Sequence, residues 1–248
     1  MKKYRAVLFD LFGTVALFDR EKLPIFEWKG QISRSTMGRL RFIVEEKAPH
    51  IPFEQFFVTL SDVSKELGAE RARNQREFSS IYRFVQTLLR VGCSDSPETQ
   101  TLAEQLSLSH MEILRRATTV PDEHVNFLAQ VKQMYATALV SNFDHGPTAR
   151  GVLRSGGVAE YFQHIVVSED HGWRKPHPKI FTAALSAIGV DPAEALFVGD
   201  SPEDDIVGAK MMGMDIAWVN AQDAELPPGT PPPDYRISAI PDLRAILF

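Results

Sequence analysis

The sequence predicts an α/β fold: a doubly wound parallel sheet whose chain is interrupted, soon after its first strand, by an inserted α-helical bundle. Three observations carry this reading. From Pro121 onward, short apolar runs alternate with segments of helical period, the pattern of a parallel sheet covered on both faces. A further apolar run, Ala6-Val7-Leu8-Phe9, stands by itself near the start. Between the two, from about Leu23 to Thr118, there is little strand pattern and much helix pattern.

Taken in order, Arg5–Asp10 reads as a buried strand closed by an acid and then Gly13-Thr14. Pro52 suits the first turn of a helix, Phe53, Phe56, Phe57 and Leu60 follow at helical spacing, and Gly68 is the expected stop. Arg71–Leu89 continues the helical pattern through Phe78, Ile81, Tyr82, Val85, Leu88 and Leu89. Ser96-Pro97 is an N-cap followed by proline at the first helical position, and Leu102, Leu106 and Ile113 then share one face. After Pro121 come helix Asp122–Met134, strand Thr137–Ser141, helix Pro147–Ser155 stopped at Gly156-Gly157, and strand Ile165–Val167. Helix Pro178–Ile188 stops at Gly189 before strand Ala195–Val198, and helix Glu203–Met212 stops at Gly213 before strand Asp215–Val219. Glycine just past a helix supplies the left-handed residue that ends it. Pro227–Pro233 is too rich in proline for regular structure. The expected organisation is a core of residues 1–18 and 119–248 with a helical insert of residues 19–118.

Composition narrows the function. The 248 residues include 44% hydrophobic positions, enough for a substantial core, and 24% charged ones, which argues against wholesale disorder. Lys+Arg 27 against Asp+Glu 32 leaves a net charge of −5, without the basic footprint of a nucleic-acid binder. One cysteine, Cys93, closes no internal disulfide and builds no Cys-based zinc site; a reducing compartment fits best. No apolar run approaches the ~20 residues of a membrane span. Lys2 and Lys3 resemble the basic start of a secretory leader, but Asp10 interrupts the short apolar stretch that follows. A cytoplasmic protein, neither membrane-bound nor bound to nucleic acid, is expected.

In open α/β sheets, ligands bind at the carboxyl ends of the strands. Those ends carry Asp10 to Thr14, Ser141-Asn142, the loop Trp173-Arg174-Lys175-Pro176, and Gly199-Asp200-Ser201-Pro202-Glu203-Asp204-Asp205. Each alone reads as an ordinary turn or a solvated lysine. Together, at four strand ends, they place carboxylates, hydroxyls and a lysine on one rim. Carboxylates held close repel unless a cation sits between them or one takes a proton, which suggests a hard ion, most simply Mg²⁺. A lysine and two hydroxyls suit an anionic group such as phosphate.

Asp10-Leu11-Phe12-Gly13-Thr14, Ser141-Asn142-Phe143-Asp144, Lys175-Pro176-His177-Pro178 and Gly199 through Ile206 follow one another in the order of the four motifs of the haloacid dehalogenase-like (HAD) hydrolases, which the chain therefore resembles over nearly its whole length. The resemblance implies a Rossmann-like core with a type 1 helical cap. It implies Asp10 as nucleophile, Thr14 and Ser141 holding the transferring group, and Lys175 neutralising charge. The backbone of Leu11, Phe12 and Gly13, with Asn142, would close around the substrate. Mg²⁺ would be held by Asp10, the Phe12 carbonyl, Asp200 and Asp205. The implied partner is a small-molecule phosphate ester or a haloacid, handled by a monomer or homodimer.

One position departs from the phosphatase pattern. Phosphatases of this family carry aspartate two residues after the nucleophile, as acid and base, where this chain has Phe12. Dehalogenases carry an aromatic residue there, because halide leaves without a proton. The acidic run Asp200, Glu203, Asp204 and Asp205 points the other way, since metal-free dehalogenases replace it with uncharged residues. The balance favours a Mg²⁺-dependent phosphatase. The alternatives are a 2-haloacid dehalogenase and a catalytically silent binding protein on the same scaffold.

Weaker candidates complete the reading. His145 or His171 could supply the missing proton. Arg39 or Arg41, in the insert, could bind a substrate carboxylate or simply face solvent. Trp28 is expected to pack the bundle, and Met211, Met212 and Met214 to pack the core.

Overall fold

A strand buried on both faces needs an apolar residue at every position, and Ala6–Phe9 meets that requirement: all four side chains are fully buried. In the computed structural model, which describes residues 4–248, this run is β1. Lys2 and Lys3 lie outside the described residues. The chain divides into two units, one formed by the residues up to Phe18 with Thr119–Phe248, the other by Asp19–Thr118.

The first unit continues through α1 (Asp122–Met134), β2 (Ala136–Ser141), α2 (Gly146–Ser155), β3 (His164–Val167) and α3 (Pro178–Ile188). It ends with β4 (Ala195–Gly199), α4 (Val207–Met212), β5 (Asp215–Val219) and β6 (Tyr235–Ile237). The six strands pair in the order β6-β5-β4-β1-β2-β3, every pair parallel. Alternate residues serve opposite faces. Val7, Phe9, Leu139 and Val198 pack with Phe127, Leu128 and Val152 on one side. Ala6, Leu8, Val140 and Phe197 pack with Phe181, Leu185 and Ala209 on the other. The sheet is therefore doubly wound. Gly189 (φ 65°) and Gly213 (φ 80°) end α3 and α4 in the left-handed region, whereas after α2 the left-handed residue is Gly157 (φ 66°), not Gly156. Three details differ from expectation. The segment before α4 winds as a wider π-type turn over Pro202–Ile206. The edge strand β6, three residues long and directly after the proline-rich stretch, carries too few positions for a legible pattern. Met211 is exposed, so only Met212 and Met214 of the three methionines pack the core.

The second unit holds helices Met37–Lys47, Phe53–Asn74, Ser80–Arg90 and Pro97–Arg116, closed around Leu40, Val44, Phe56, Leu60, Phe84, Leu88 and Leu106. Ser79 and Ser96 cap two of them, their hydroxyls accepting from the Tyr82 and Thr99 amides. Gly68 does not stop its helix, which runs on to Asn74 and ends where Gln75 turns left-handed (φ 56°). A mid-helix glycine costs only ~1 kcal/mol against alanine, less than the packing on either side supplies. The expected continuous pattern over Arg71–Leu89 is thus broken between residues 75 and 79. The segment is also not free of strands: Ile25–Trp28 and Gln31–Arg34 form an antiparallel hairpin through Lys29-Gly30, both at positive φ. Trp28 packs against Phe53 and Phe57 of its own unit. Among the described residues, no helix of either unit is long and apolar enough to cross a membrane.

Candidate active site

Register brings the strand ends level. Phe9 of β1 lies opposite Leu139 of β2 and Val198 of β4, so Asp10, Ser141 and Asp200 all leave the sheet at its carboxyl edge, on three adjacent strands. The Asp10 amide donates to the Val198 carbonyl at 2.8 Å, carrying the β1–β4 pairing one residue past the strand. Beyond it the chain folds back sharply: the Gly13 amide donates to the Ala16 carbonyl (2.9 Å) and the Ala16 amide to the Leu11 carbonyl (2.8 Å). Leu11 anchors this loop in the core, and Phe12 stacks its ring on Phe143 with centroids 4.5 Å apart.

Lys175 enters from the loop before α3 and is buried. Its ammonium lies 2.6 Å from Asp10 Oδ1 and 2.7 Å from Asp205 Oδ1. The backbone that aims it is held by Asn142. The Lys175 amide donates to Asn142 Oδ1 (2.7 Å), and Asn142 Nδ2 donates to the Lys175 carbonyl and to Asp204 Oδ2, each at 3.0 Å. Asn142, expected at the substrate, therefore has its amide engaged by the scaffold.

Two glycines make room for the acids. A Cβ at Gly13, whose φ of 82° already disfavours other residues, would lie 2.2 Å from Asp200 Oδ2. A Cβ at Gly199 would lie 2.2 Å from Asp205 Oδ2, the oxygen that accepts from the Ser201 amide. The Trp218 indole donates to the Asp200 carbonyl at 2.9 Å and fixes that turn. One oxygen each of Asp10, Asp200 and Asp205 lie within 4.8 Å of one another. Asp205, expected as a metal ligand, already spends one oxygen on Lys175 and the other on the Ser201 amide. Glu203 of the same acidic run is exposed.

The electrostatics follow from this crowding. Burial, with Asp205 and Asp200 adding like charge, outweighs Lys175 and pushes the Asp10 carboxyl up to about 8. Burial and Asp205 push Asp200 up to about 6, and the same two causes raise Asp204. Burial alone would lower the Lys175 ammonium, but Asp10 and Asp205 reverse this and raise it. Three carboxylates share one ammonium, so the cluster is short of positive charge. That shortage and the cradle at Gly13 fit a divalent cation with oxygen ligands at Asp10 and Asp200.

Among the described residues, two buried hydroxyls have no hydrogen-bond partner: Thr14 Oγ1, at the end of the β1 loop, and Ser141 Oγ, at the end of β2. Buried polar atoms are seldom left so. His145 is buried and shares a hydrogen bond with the Thr148 hydroxyl at 2.9 Å, and burial lowers its pKa. Burial lowers that of His171 as well. Arg39 and Arg41 belong to the other unit, where Arg41 pairs with Glu45 at 2.7 Å and lies over the Trp28 and Phe53 rings. Sequence reasoning passed over Trp218 and Ser168, whose hydroxyl accepts from the Phe143 amide (2.9 Å). Neither carries a local signal, because each acts through a partner far along the chain.

The family model of haloacid dehalogenase-like hydrolases matches residues 4–213. A glyceraldehyde 3-phosphate phosphatase of Pyrococcus furiosus is 28% identical, over 100% of this chain and 94% of its own length. A phosphoserine phosphatase of Thermus thermophilus is 32% identical over 66% of this chain and 64% of its own. Among solved structures, a 2-haloacid dehalogenase from Pseudomonas syringae superposes with a TM-score of 0.76 at 25% identity, covering 98% of both chains.

Proposed function

The chain belongs to the haloacid dehalogenase-like hydrolases, and on that premise we propose that it is a Mg²⁺-dependent phosphatase of a small phosphorylated metabolite, working through an aspartyl-phosphate on Asp10. The relatives named as phosphatases support the reading. The observation that carries it is the pair of unsatisfied buried hydroxyls, Thr14 in the loop after β1 and Ser141 at the end of β2, on the same sheet edge that carries the Asp10–Lys175 ion pair. Two unpartnered hydroxyls and an ammonium at one sheet edge suit a tetrahedral dianion better than a carbon–halogen bond.

Asp10 attacks phosphorus and becomes an acyl phosphate, which water then hydrolyses. Thr14, Ser141 and the backbone of Leu11–Gly13 hold the phosphoryl oxygens. Lys175 offsets charge on both Asp10 and the phosphoryl group, and Asn142 fixes the lysine's loop. Asp10, Asp200 and the Phe12 carbonyl would hold Mg²⁺, with Asp205 clamping Lys175 beside them; when bound, the ion supplies a Lewis acid that screens the nucleophile from the substrate dianion. The Asp19–Thr118 unit acts as the cap that selects the substrate. The enzyme works in the cytoplasm as a monomer or homodimer.

The test is phosphate release from p-nitrophenyl phosphate. It is expected to stop with EDTA, return with Mg²⁺ and vanish in Asp10→Asn. A second reading, 2-haloacid dehalogenase, is favoured by Phe12 and by the Pseudomonas structure. Asp10-dependent chloride release from 2-chloropropionate, unaffected by EDTA and without phosphate release from any ester, would replace the first reading with the second.

A further inference from the structure

We infer that the site hydrolyses phosphoesters whose leaving group departs as a stable anion (an acyl, enol or aryl oxygen) and whose organic half is uncharged and lies in the cleft beside Asp200. The inference rests on the phosphatase reading and names its substrate class.

The first support is the surroundings of the scissile bond. Phe12 follows the nucleophile by two residues and its ring packs on Phe143, so this part of the loop presents carbon and not an acid. The ionisable groups of this unit that act on Asp10 are Lys175, Asp205 and Asp200. Lys175 is tied to two carboxylates. The groups acting on His145 are Asp144 and Arg150, and the charged group acting on His171 is Lys179. Neither Phe12, which has no proton to give, nor Lys175, held by two carboxylates, serves as an acid for the departing oxygen. An alkyl alkoxide expelled without a proton is a poor leaving group, whereas a carboxylate, enolate or phenolate leaves unaided.

The second support is a cleft of about 640 Å³ whose lining includes Gly13 and Asp200, the apolar Leu17, Phe18 and Val219, and the polar Asn220 and Gln222. Leu17 and Phe18 expose nearly half of their surface along it. Asp200 and Glu225 are the charged residues of its lining, and both are acids. With Asp200 turned to the cation, Glu225 is left as the charge of the lining, and a second phosphate or a carboxylate on the substrate would meet like charge there, while an apolar ring would meet Leu17, Phe18 and Val219.

The chemistry balances without an added acid. An Asp10 oxygen bonds to phosphorus as the ester P–O bond breaks, and its electron pair leaves on RO⁻. Water then attacks the phosphorus of the acyl phosphate, the bond to Asp10 breaks, and hydrogen phosphate and one proton are released. In sum, ROPO₃²⁻ and water give RO⁻, HPO₄²⁻ and H⁺, and solvent protonates RO⁻ afterwards.

The experiment compares kcat/KM for acetyl, p-nitrophenyl, phenyl and ethyl phosphate with Mg²⁺, in the full chain. A fall of about 10²–10⁴-fold from p-nitrophenyl to ethyl phosphate is expected, the span a positioned acid normally covers. Phe12→Asp should raise ethyl phosphate turnover selectively and flatten the series, and Phe12→Leu should leave it steep. Ala221→Phe, which narrows the cleft, should raise KM for 1-naphthyl phosphate more than for acetyl phosphate. Equal rates on ethyl and p-nitrophenyl phosphate, or a preference for p-carboxyphenyl over phenyl phosphate, overturn the inference and leave the phosphatase reading standing. Absence of Asp10-dependent release from every ester overturns both.

Discussion

The two units of the chain use charge in opposite ways. In the sheet unit, Lys175 meets Asp10 and Asp205 at 2.6 and 2.7 Å with side chains no more than 9% exposed. In the helical unit, Arg90 meets Glu66 through two hydrogen bonds of 2.8 and 2.7 Å with side chains 44% and 58% exposed. The distances are nearly the same and the environments are not. Water already serves the second pair, so forming it changes little. Water is excluded from the first, so each partner depends on the other, and burial, with the neighbouring carboxylates adding to it, raises Asp10 and Asp200 toward the neutral pH range. The difference teaches that burial, rather than contact geometry, marks the place where charge is set to work.

The strongest way to break the comparison is Lys175→Met. Removing one partner of a buried pair leaves charge uncompensated and is expected to cost about 3–5 kcal/mol. Urea unfolding measures it. Because Asp10 and Asp205 then lack their cation, adding Asp205→Asn should recover part of the loss. A single variant as stable as the parent would mean that water reaches the cluster and screens it.

Gly13→Ala sharpens the same point on a smaller scale. Its Cβ would press on Asp200 from 2.2 Å in a backbone conformation alanine resists. Displacing a carboxylate from its cradle is expected to weaken Mg²⁺ binding about 10–100-fold, the usual cost of disturbing a ligand's support. Titration calorimetry of Mg²⁺ reads this directly, apart from turnover. Unchanged affinity would remove Asp200 from the ligand set.

What the sequence disclosed follows the same divide. The strands of the sheet unit were legible because burial on both faces leaves no polar position in β1 or β4, and because Gly189 and Gly213 end their helices locally. The convergence of Asp10, Ser141, Lys175 and Asp200 was legible because strand ends of one parallel sheet share an edge. The hairpin Ile25–Arg34 was not, since Ile25 and Ile32 point apolar side chains to solvent and blur the alternation. Gly68 misled because neighbouring turns of its helix pack well enough to carry it. The engagement of Asn142 with Lys175 and Asp204, and of Asp205 with Ser201, depends on side-chain direction in the folded loops, which no spacing encodes.

Glu66→Gln is the smallest expected effect and the sharpest control on burial. Its hydrogen bonds from Arg90 hold the Glu66 carboxyl below the usual range. A depressed acid supports the fold only above its unfolded value and loses that support as pH falls through its folded one. Any contribution is therefore confined to the pH region around the ordinary glutamate value and above, and salt screens it. The urea midpoint of Glu66→Gln at neutral pH and moderate salt should match the parent within scatter, although the pair it breaks has two hydrogen bonds nearly as short as the contacts of Lys175. A loss on the scale of Lys175→Met would show that geometry, and not exclusion of water, governs both pairs, and the contrast between the two units would fall.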